Sequence, residues 1–116
     1  MSWQESGREF FGRMAEHPAV RYLKWDSQFV LRAGNGSLSV RASGGKIVEV
    51  MDQAAPIGPH DLELEADADT WRAIFAGSVS PGTAFYRAQL FIPEIQSKRN
   101  LAVAICRAMR ATQQGA

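Results

Sequence analysis

The spacing of the hydrophobic residues changes partway through residues 61–77. Leu62 and Leu64 alternate with acidic residues, and a repeat of two positions predicts a strand with one buried face. Trp71 and Phe75 then follow at a spacing that places them on one face of a helix. The segment therefore predicts a strand that leads directly into a short amphipathic helix.

Three earlier segments alternate in the same way, at residues 27–33, 37–42 and 46–51. Glycine-containing turns separate them, so they predict an antiparallel meander. Residues 61–65 add a fourth strand after a loop rich in alanine and proline. Alternation assigns one set of residues to the buried face of the sheet: Phe29, Leu31, Leu38, Val40, Leu62 and Leu64.

An amphipathic helix is predicted at the start of the chain. Ser2 and Glu5 form the pattern of a capping box. The helix has to end before Pro18, because the residue before a proline is forced out of helical geometry. Residues 19–25 fit either a short second helix or an extended segment. The apolar side of the first helix consists of Trp3, Phe10, Phe11 and Met14.

Three elements are predicted beyond the central segment. A short helix is expected at residues 81–85, and a fifth strand at residues 88–92, which Pro93 would end. Residues 97–112 form the last predicted helix. Its apolar stripe consists of Leu101, Ile105, Ala108 and Met109.

The composition is that of a globular protein. A chain of 116 residues is long enough for one domain with its own core. Hydrophobic residues make up 46% and charged residues 22%, close to the globular average. The net charge of +1 gives no overall attraction to nucleic acid or anionic membranes. No apolar run is long enough to span a bilayer, so no stable membrane insertion is expected.

The charges are nevertheless unevenly distributed along the chain. Acidic residues are concentrated in residues 61–69, whereas Lys98, Arg99, Arg107 and Arg110 lie near the end. One explanation is that the acidic and the basic residues form two solvent-exposed faces, which either pair with each other or remain separate. A basic docking patch near the end of the chain also explains the uneven distribution.

The acidic run includes the most obvious candidates for catalytic carboxylates, but its positions favour structural roles. Alternation directs Glu63 and Glu65 towards solvent. Asp67 and Asp69 stand where the following helix needs a cap for its first N–H groups.

The remaining polar chemistry is sparse. His17 and His60 have no second ligand at metal-binding spacing, so no metal is predicted. No nucleophile or dinucleotide motif is present, so no catalytic residue and no cofactor is predicted. The single cysteine, Cys106, cannot form an internal disulfide, which is compatible with the cytoplasm. Its apolar helical setting predicts an inert thiol.

Hydrophobic side chains on the helices and the last strand are the best candidates for a functional site. They fit an ordinary core, and they also fit the lining of an apolar pocket for a small molecule. The candidate ligand-binding residues are Trp71, Ile74, Phe75, Phe85, Leu90, Ile92, Leu101, Ile105 and Met109.

The order of these elements resembles the type-two sterol carrier protein domain, a small lipid-carrier fold. The resemblance covers residues 29–109. The chain departs from the family at Ala88 and Pro93, where the family has glycines. The motifs that carry the resemblance are Gly36, Gly45, residues 61–65, Trp71, Gly77, Pro81, Ala84, Phe85, the segment ending at Ile92 and the last helix.

The resemblance implies an α+β fold with a five-stranded mixed sheet, covered on one face by helices. It places the first and fourth strands side by side. Residues 1–116 are expected to form one domain. Its parts are an N-terminal helical segment at 1–26, a sheet and crossover helix at 27–92, and a C-terminal helix at 97–112.

The resemblance also implies a function without catalysis. The expected ligand is an apolar or amphipathic small molecule, such as a fatty acyl chain or sterol-like lipid, in a cavity between sheet and helices. Arg87 or Gln89 at the cavity mouth would orient a polar head group. The alternative is a protein-interaction module or an accessory module of an enzyme, which uses the same apolar surface. The expected protein partner is a second copy of the chain or an enzyme. Bacterial relatives of the family either act alone or accompany enzymes.

Overall fold

The predicted strands and helices form a sheet with helices packed against it. The structure, a computed structural model, describes residues 2–18, 21, 23 and 26–115. The short helix considered for residues 19–25 lies mostly outside the described residues. The elements are α1 (Trp3–Glu16), β1 (Ser27–Ala33), β2 (Gly36–Ser43), β3 (Lys46–Met51), β4 (Leu62–Glu65), α2 (Ala68–Phe75), α3 (Pro81–Tyr86) and α4 (Arg99–Gln113).

The sheet is mixed, with the strand order β3-β2-β1-β4. β1 pairs antiparallel with β2, β2 pairs antiparallel with β3, and β1 pairs parallel with β4. The predicted meander and the predicted adjacency of the first and fourth strands are both confirmed. In the parallel pair, Phe29 lies opposite Leu62 and Leu31 opposite Leu64.

The sheet has four strands, so the prediction of a fifth strand at residues 88–92 is wrong. Only Phe91 forms a bridge, in which its N–H and carbonyl each bond to Glu65 at 2.7 Å. Ala88 has a φ of 59°, which is left-handed and interrupts an extended strand. Pro93 prevents pairing beyond the bridge because it has no N–H to donate. These two residues reduce the predicted strand to a single bridge.

One face of the sheet carries the hydrophobic core. All six residues that alternation assigned to this face are fully buried. The ring of Phe11 on α1 packs edge-on against Phe29, with ring centroids 5.6 Å apart. A side chain at Gly7 would clash, because an added Cβ would lie 2.6 Å from a methyl carbon of Leu38. Glycine at this position therefore allows α1 to lie close to the sheet.

The opposite face of the sheet is crossed by the connection between β3 and β4. These two strands are at opposite edges of the sheet, so residues 52–61 have to pass over β2 and β1. The hydroxyl of Ser39 accepts a hydrogen bond from the N–H of Ala55 at 3.0 Å. The side-chain amide of Gln28 donates to the carbonyl of Pro56 at 2.7 Å. These bonds hold the connection against the sheet.

Candidate functional site

The structure places most of the candidate ligand-binding residues in the core between the sheet and the helices. Phe85 is an exception, because 41% of it is exposed, and Leu101 is half-buried at the edge of the core. The buried candidates are Trp71, Ile74, Phe75, Leu90, Ile92, Ile105 and Met109.

Aromatic rings from α1 and α2 form a continuous cluster at the centre of this region. Trp71 and Phe75 stack with ring centroids 5.8 Å apart, and Trp3 and Trp71 stack with ring centroids 6.3 Å apart. The rings of Phe10 and Phe11 lie 5.2 Å and 5.9 Å from that of Phe75. Offset and edge-on contacts at these distances are favourable for aromatic pairs.

The contribution of α1 to this region was not predicted from the sequence. The helical spacing showed that Trp3, Phe10 and Phe11 share an apolar side, but it did not identify the partner of that side. The structure shows that α1 packs against α2, so Trp71 and Phe75 contact rings from α1. Arg13 strengthens this contact by donating a hydrogen bond of 3.1 Å to the carbonyl of Phe75.

The end of α4 is tied to the end of α2 through Gln113. Its side-chain nitrogen donates to the carbonyl of Ile74 at 2.7 Å and to that of Val79 at 2.8 Å. The oxygen of the same amide is buried and has no hydrogen-bond partner within the described residues. Ile105 and Met109, on the same helix, are buried in the core.

An open groove of about 460 Å³ lies away from the aromatic cluster, at the start of α4. It is lined by Pro59, His60 and residues 96–101, so Leu101 is the one candidate ligand-binding residue that contacts it. The amine of Lys98 bonds to the carbonyl of Gly58 at 3.0 Å and to the carboxylate of Glu94 at 3.1 Å. The lining of this groove therefore combines these polar groups with apolar surface.

The acidic run has structural partners. Asp67 caps α2 by accepting a hydrogen bond of 2.7 Å from the N–H of Thr70, which lowers the pKa of its carboxyl group. Asp69 is not a cap, in contrast to the prediction, because it lies in the first turn and pairs with Arg72 at 2.9 Å.

On β4, Glu63 forms an ion pair of 3.1 Å with Arg32 of the neighbouring strand. The side chains of this pair are partly exposed, so such a pair contributes little to stability. The acidic residues thus support the helix start and the sheet surface.

Cys106 is half-buried on α4, and burial raises the pKa of its thiol to about 11. A thiol in this state is protonated at neutral pH and reacts slowly. Within the described ranges, no group of three or more His, Cys, Asp or Glu side chains is placed to hold a metal ion.

None of the helices in the described part of the chain has the length and hydrophobicity that a membrane crossing requires.

Known structures with the same fold identify the architecture. No model of a known protein family matches the sequence, and no curated protein matches it. The chain is similar in structure to sterol carrier protein 2, with a TM-score of 0.65 and 18% identity over 100% of this chain and 98% of that one.

Two further structures agree with this assignment. One is palmitated SCP2L2 from Aedes aegypti, with a TM-score of 0.64 and 14% identity over 94% of this chain and 95% of that one. The other is a conserved hypothetical protein from Thermus thermophilus, proposed as a sterol carrier protein. Its TM-score is 0.54, with 17% identity over 95% of this chain and 85% of that one. The chain therefore has the fold of the sterol carrier proteins, and the predicted resemblance is confirmed at the level of the fold.

Proposed function

We propose that this chain binds and carries an apolar or amphipathic small molecule, such as a fatty acyl chain or a sterol-like lipid. The observation that supports this proposal is the fold shared over nearly the whole chain with sterol carrier protein 2 and palmitated SCP2L2. The function is carriage without catalysis, in the cytoplasm. The residues proposed to line the ligand are Trp71, Ile74, Phe75, Phe85, Leu90, Ile92, Leu101, Ile105 and Met109.

The energetics of such a site depend on apolar burial. Each buried methylene group contributes about 0.8 kcal/mol, and apolar area contributes about 25 cal/mol per Å². The gain from burying an acyl chain therefore increases with its length, and it has to offset the contacts of the side chains that the ligand displaces. The region between helices and sheet is lined by hydrophobic and aromatic residues, which suit such a ligand.

A shift of α4 is the movement that we propose makes room for the ligand. The helix presents Ala102, Ala104 and Ala108 towards the interior, and these small side chains lose few contacts when the helix shifts. Moving α1 instead would separate the stacked rings of Trp3 and Trp71. An acyl chain inserted beneath α4 would place its polar end near Arg87, which is exposed directly after α3.

Two substitutions on opposite sides of α4 test this proposal. Ile105→Ala removes volume from the interior, whereas Val103→Ala removes a similar side chain from the exposed side. Both proteins are titrated with a fluorescent fatty-acid probe and then competed with fatty acids of increasing length. Native mass spectrometry of the full chain purified from cells shows any retained ligand.

Carriage predicts saturable binding with one probe per chain, and a preference for longer acyl chains in Ile105→Ala. Each extra methylene accommodated is worth about 0.8 kcal/mol, or about fourfold in affinity. Val103→Ala should keep the wild-type preference. The proposal is wrong if the folded wild-type chain binds no fatty-acid probe and retains no apolar ligand.

A further inference from the structure

The chain has a net charge of only +1, but it consists of two parts with opposite net charges. Residues 1–69 contain 7 Lys and Arg and 11 Asp and Glu, a net charge of −4. Residues 70–116 contain 6 Lys and Arg and a single acidic residue, Glu94, a net charge of +5. The positive part includes α3, α4 and most of α2, whereas α1 lies in the negative part.

The outward side of α4 concentrates this positive charge. Arg99, Val103, Arg107 and Arg110 are all exposed. Their spacings of four, four and three residues place them on one face of the helix. The residues that α4 buries lie on the opposite side of the helix. We call these four residues the arginine stripe.

The arginines of the stripe have no intramolecular partner in the described part of the chain. Neither Arg99, Arg107 nor Arg110 forms an ion pair or a side-chain hydrogen bond there. In contrast, Arg72 on α2 and Lys98 at the start of α4 are paired with acidic residues. The guanidinium groups of the stripe are therefore available to an external anion.

Exposed hydrophobic side chains accompany the arginine stripe. Five large hydrophobic residues are exposed in the described part of the chain, and four of them lie between positions 85 and 103. Tyr86 is 91% exposed on α3 and Phe91 is 60% exposed in the following segment, while Val103 belongs to the stripe itself. Because α3 packs against α4, Tyr86 lies on an element that neighbours the one carrying the arginines, and Phe91 follows α3 along the chain.

We propose that the arginine stripe, together with Tyr86 and Phe91, docks the protein on the surface of an anionic lipid bilayer. Arginine side chains near such a surface are attracted to the anionic headgroups. Aromatic side chains favour the boundary between headgroups and acyl chains, where Tyr has both an apolar ring and a polar hydroxyl. This inference goes beyond carriage, because the surface lies outside the proposed ligand site.

The helix α1 lacks both properties of this surface. Its apolar side is buried in the core. Its charged side contains Glu5, Glu9 and Glu16, which outnumber Arg8 and Arg13. An anionic bilayer would attract α4 and repel α1, so the charges orient the molecule with α4 towards the membrane.

Vesicle co-sedimentation of the full chain tests the proposal. The vesicles contain phosphatidylcholine alone or phosphatidylcholine with phosphatidylserine, at low and high salt. The test variant is Arg107→Gln/Arg110→Gln. The matched control is Arg41→Gln/Lys46→Gln, which removes two exposed positive charges from the sheet. Circular dichroism and thermal unfolding verify that the proteins are folded.

The wild-type chain and the control should bind anionic vesicles, and salt should weaken this binding. A cation at the membrane surface is worth about 1 kcal/mol, so the test variant should bind about 25-fold more weakly. Tyr86→Ala should also weaken binding, by severalfold, and its deficit should persist at high salt because it arises from apolar contact.

Equal binding of the test variant and the control would overturn the proposal. It would also be overturned by the absence of binding to anionic vesicles at low salt. A chain that binds an oligonucleotide through the stripe but not the vesicles would instead indicate a nucleic-acid surface. The fatty-acid titration separates this result from carriage, because Arg107→Gln/Arg110→Gln should bind the probe as the wild type does.

Discussion

The indole nitrogen of Trp71 donates a hydrogen bond of 2.9 Å to the main-chain carbonyl of Arg32. The same carbonyl accepts the N–H of Ala66 at 3.0 Å. Trp71 is fully buried, so this bond lies in the interior. It joins α2 to the end of β1 and fixes the orientation of the ring on which Trp3 and Phe75 stack.

Trp71→Phe should lower the free energy of unfolding by about 1–3 kcal/mol. The substitution removes one hydrogen bond and leaves a small cavity, but the carbonyl of Arg32 keeps its bond to Ala66. Urea unfolding monitored by circular dichroism measures the change. Tyr86→Ala, at an exposed position, should change stability by less than about 0.5 kcal/mol. Equal stability of Trp71→Phe and wild type would show that the buried bond contributes nothing.

Leu64→Ala should destabilise the protein by about 2–5 kcal/mol, because Leu64 is fully buried on the core face of β4. Val48→Ala on β3 is the matched control, since Val48 is 52% exposed. Chemical unfolding of both variants gives the comparison. A loss at position 64 no larger than that at position 48 would contradict the assigned sheet face.

Asp67→Ala should cost about 1 kcal/mol, because it removes the N-terminal cap of α2. Asp69→Ala should cost less, since it removes only an exposed ion pair. The pKa of Asp67 is lowered in the folded state, so its contribution is present above its ordinary pKa of 3.8 and is lost as the pH falls below that value. Unfolding measurements at pH 7 and pH 3 should show the difference between wild type and Asp67→Ala shrinking at low pH.

Cys106 should react slowly with a thiol reagent in the folded protein and rapidly in urea. Burial raises the pKa of its thiol to about 11 from 9.0, so the folded state holds the proton more tightly than the unfolded state. Stability from this group is complete below pH 9 and is lost as the pH rises towards 11. Relative to Cys106→Ala, the wild type should become less stable over this range. Rapid labelling at pH 7 under native conditions would disprove the assignment.

Ala88→Gly should stabilise the protein by about 0.5–1 kcal/mol. A left-handed φ of 59° costs an L-residue roughly 1–2 kcal/mol, and glycine avoids this cost while losing more entropy on folding. Ala15→Gly in α1 is the control, and it should destabilise the helix by about 0.5–1 kcal/mol. Thermal unfolding distinguishes the two directions. Destabilisation by Ala88→Gly would show that the backbone is unstrained there.

The sequence was sufficient to predict the strands of the sheet because alternation has only one solution when a single face is buried. Leu38 and Leu64 could not both be buried in any other register of their strands. The same logic failed at residues 88–92. The apolar residues there suggested a strand, but the conformation of Ala88 depends on how α3 ends, and this is a property of the folded backbone.

The candidate site was predictable only in part. Helical spacing showed that Trp71 and Phe75 share one face, and both are buried. It could not show that α1 packs against them, because periodicity identifies an apolar side without identifying its partner. Phe85 was predicted to line the site, but helical spacing did not show that it would remain exposed. It belongs to a short helix whose burial is set by Pro81 and Ala84, so the aromatic side chain remains largely exposed.

The connection that crosses the second face of the sheet also affects the order in which the chain folds. The meander of β1, β2 and β3 forms between neighbours in sequence, whereas Phe29 and Leu62 pair across thirty-three steps of the chain. Closing a long loop costs more entropy than closing a short turn, so we expect β4 to pair after the meander has formed. Until residues 52–61 are in place, the edge of β1 remains unpaired, and an unpaired edge attracts other chains. The hydrogen bonds that Ser39 and Gln28 make to the connection hold it against the sheet, and they thereby favour the pairing of β4 that covers this edge.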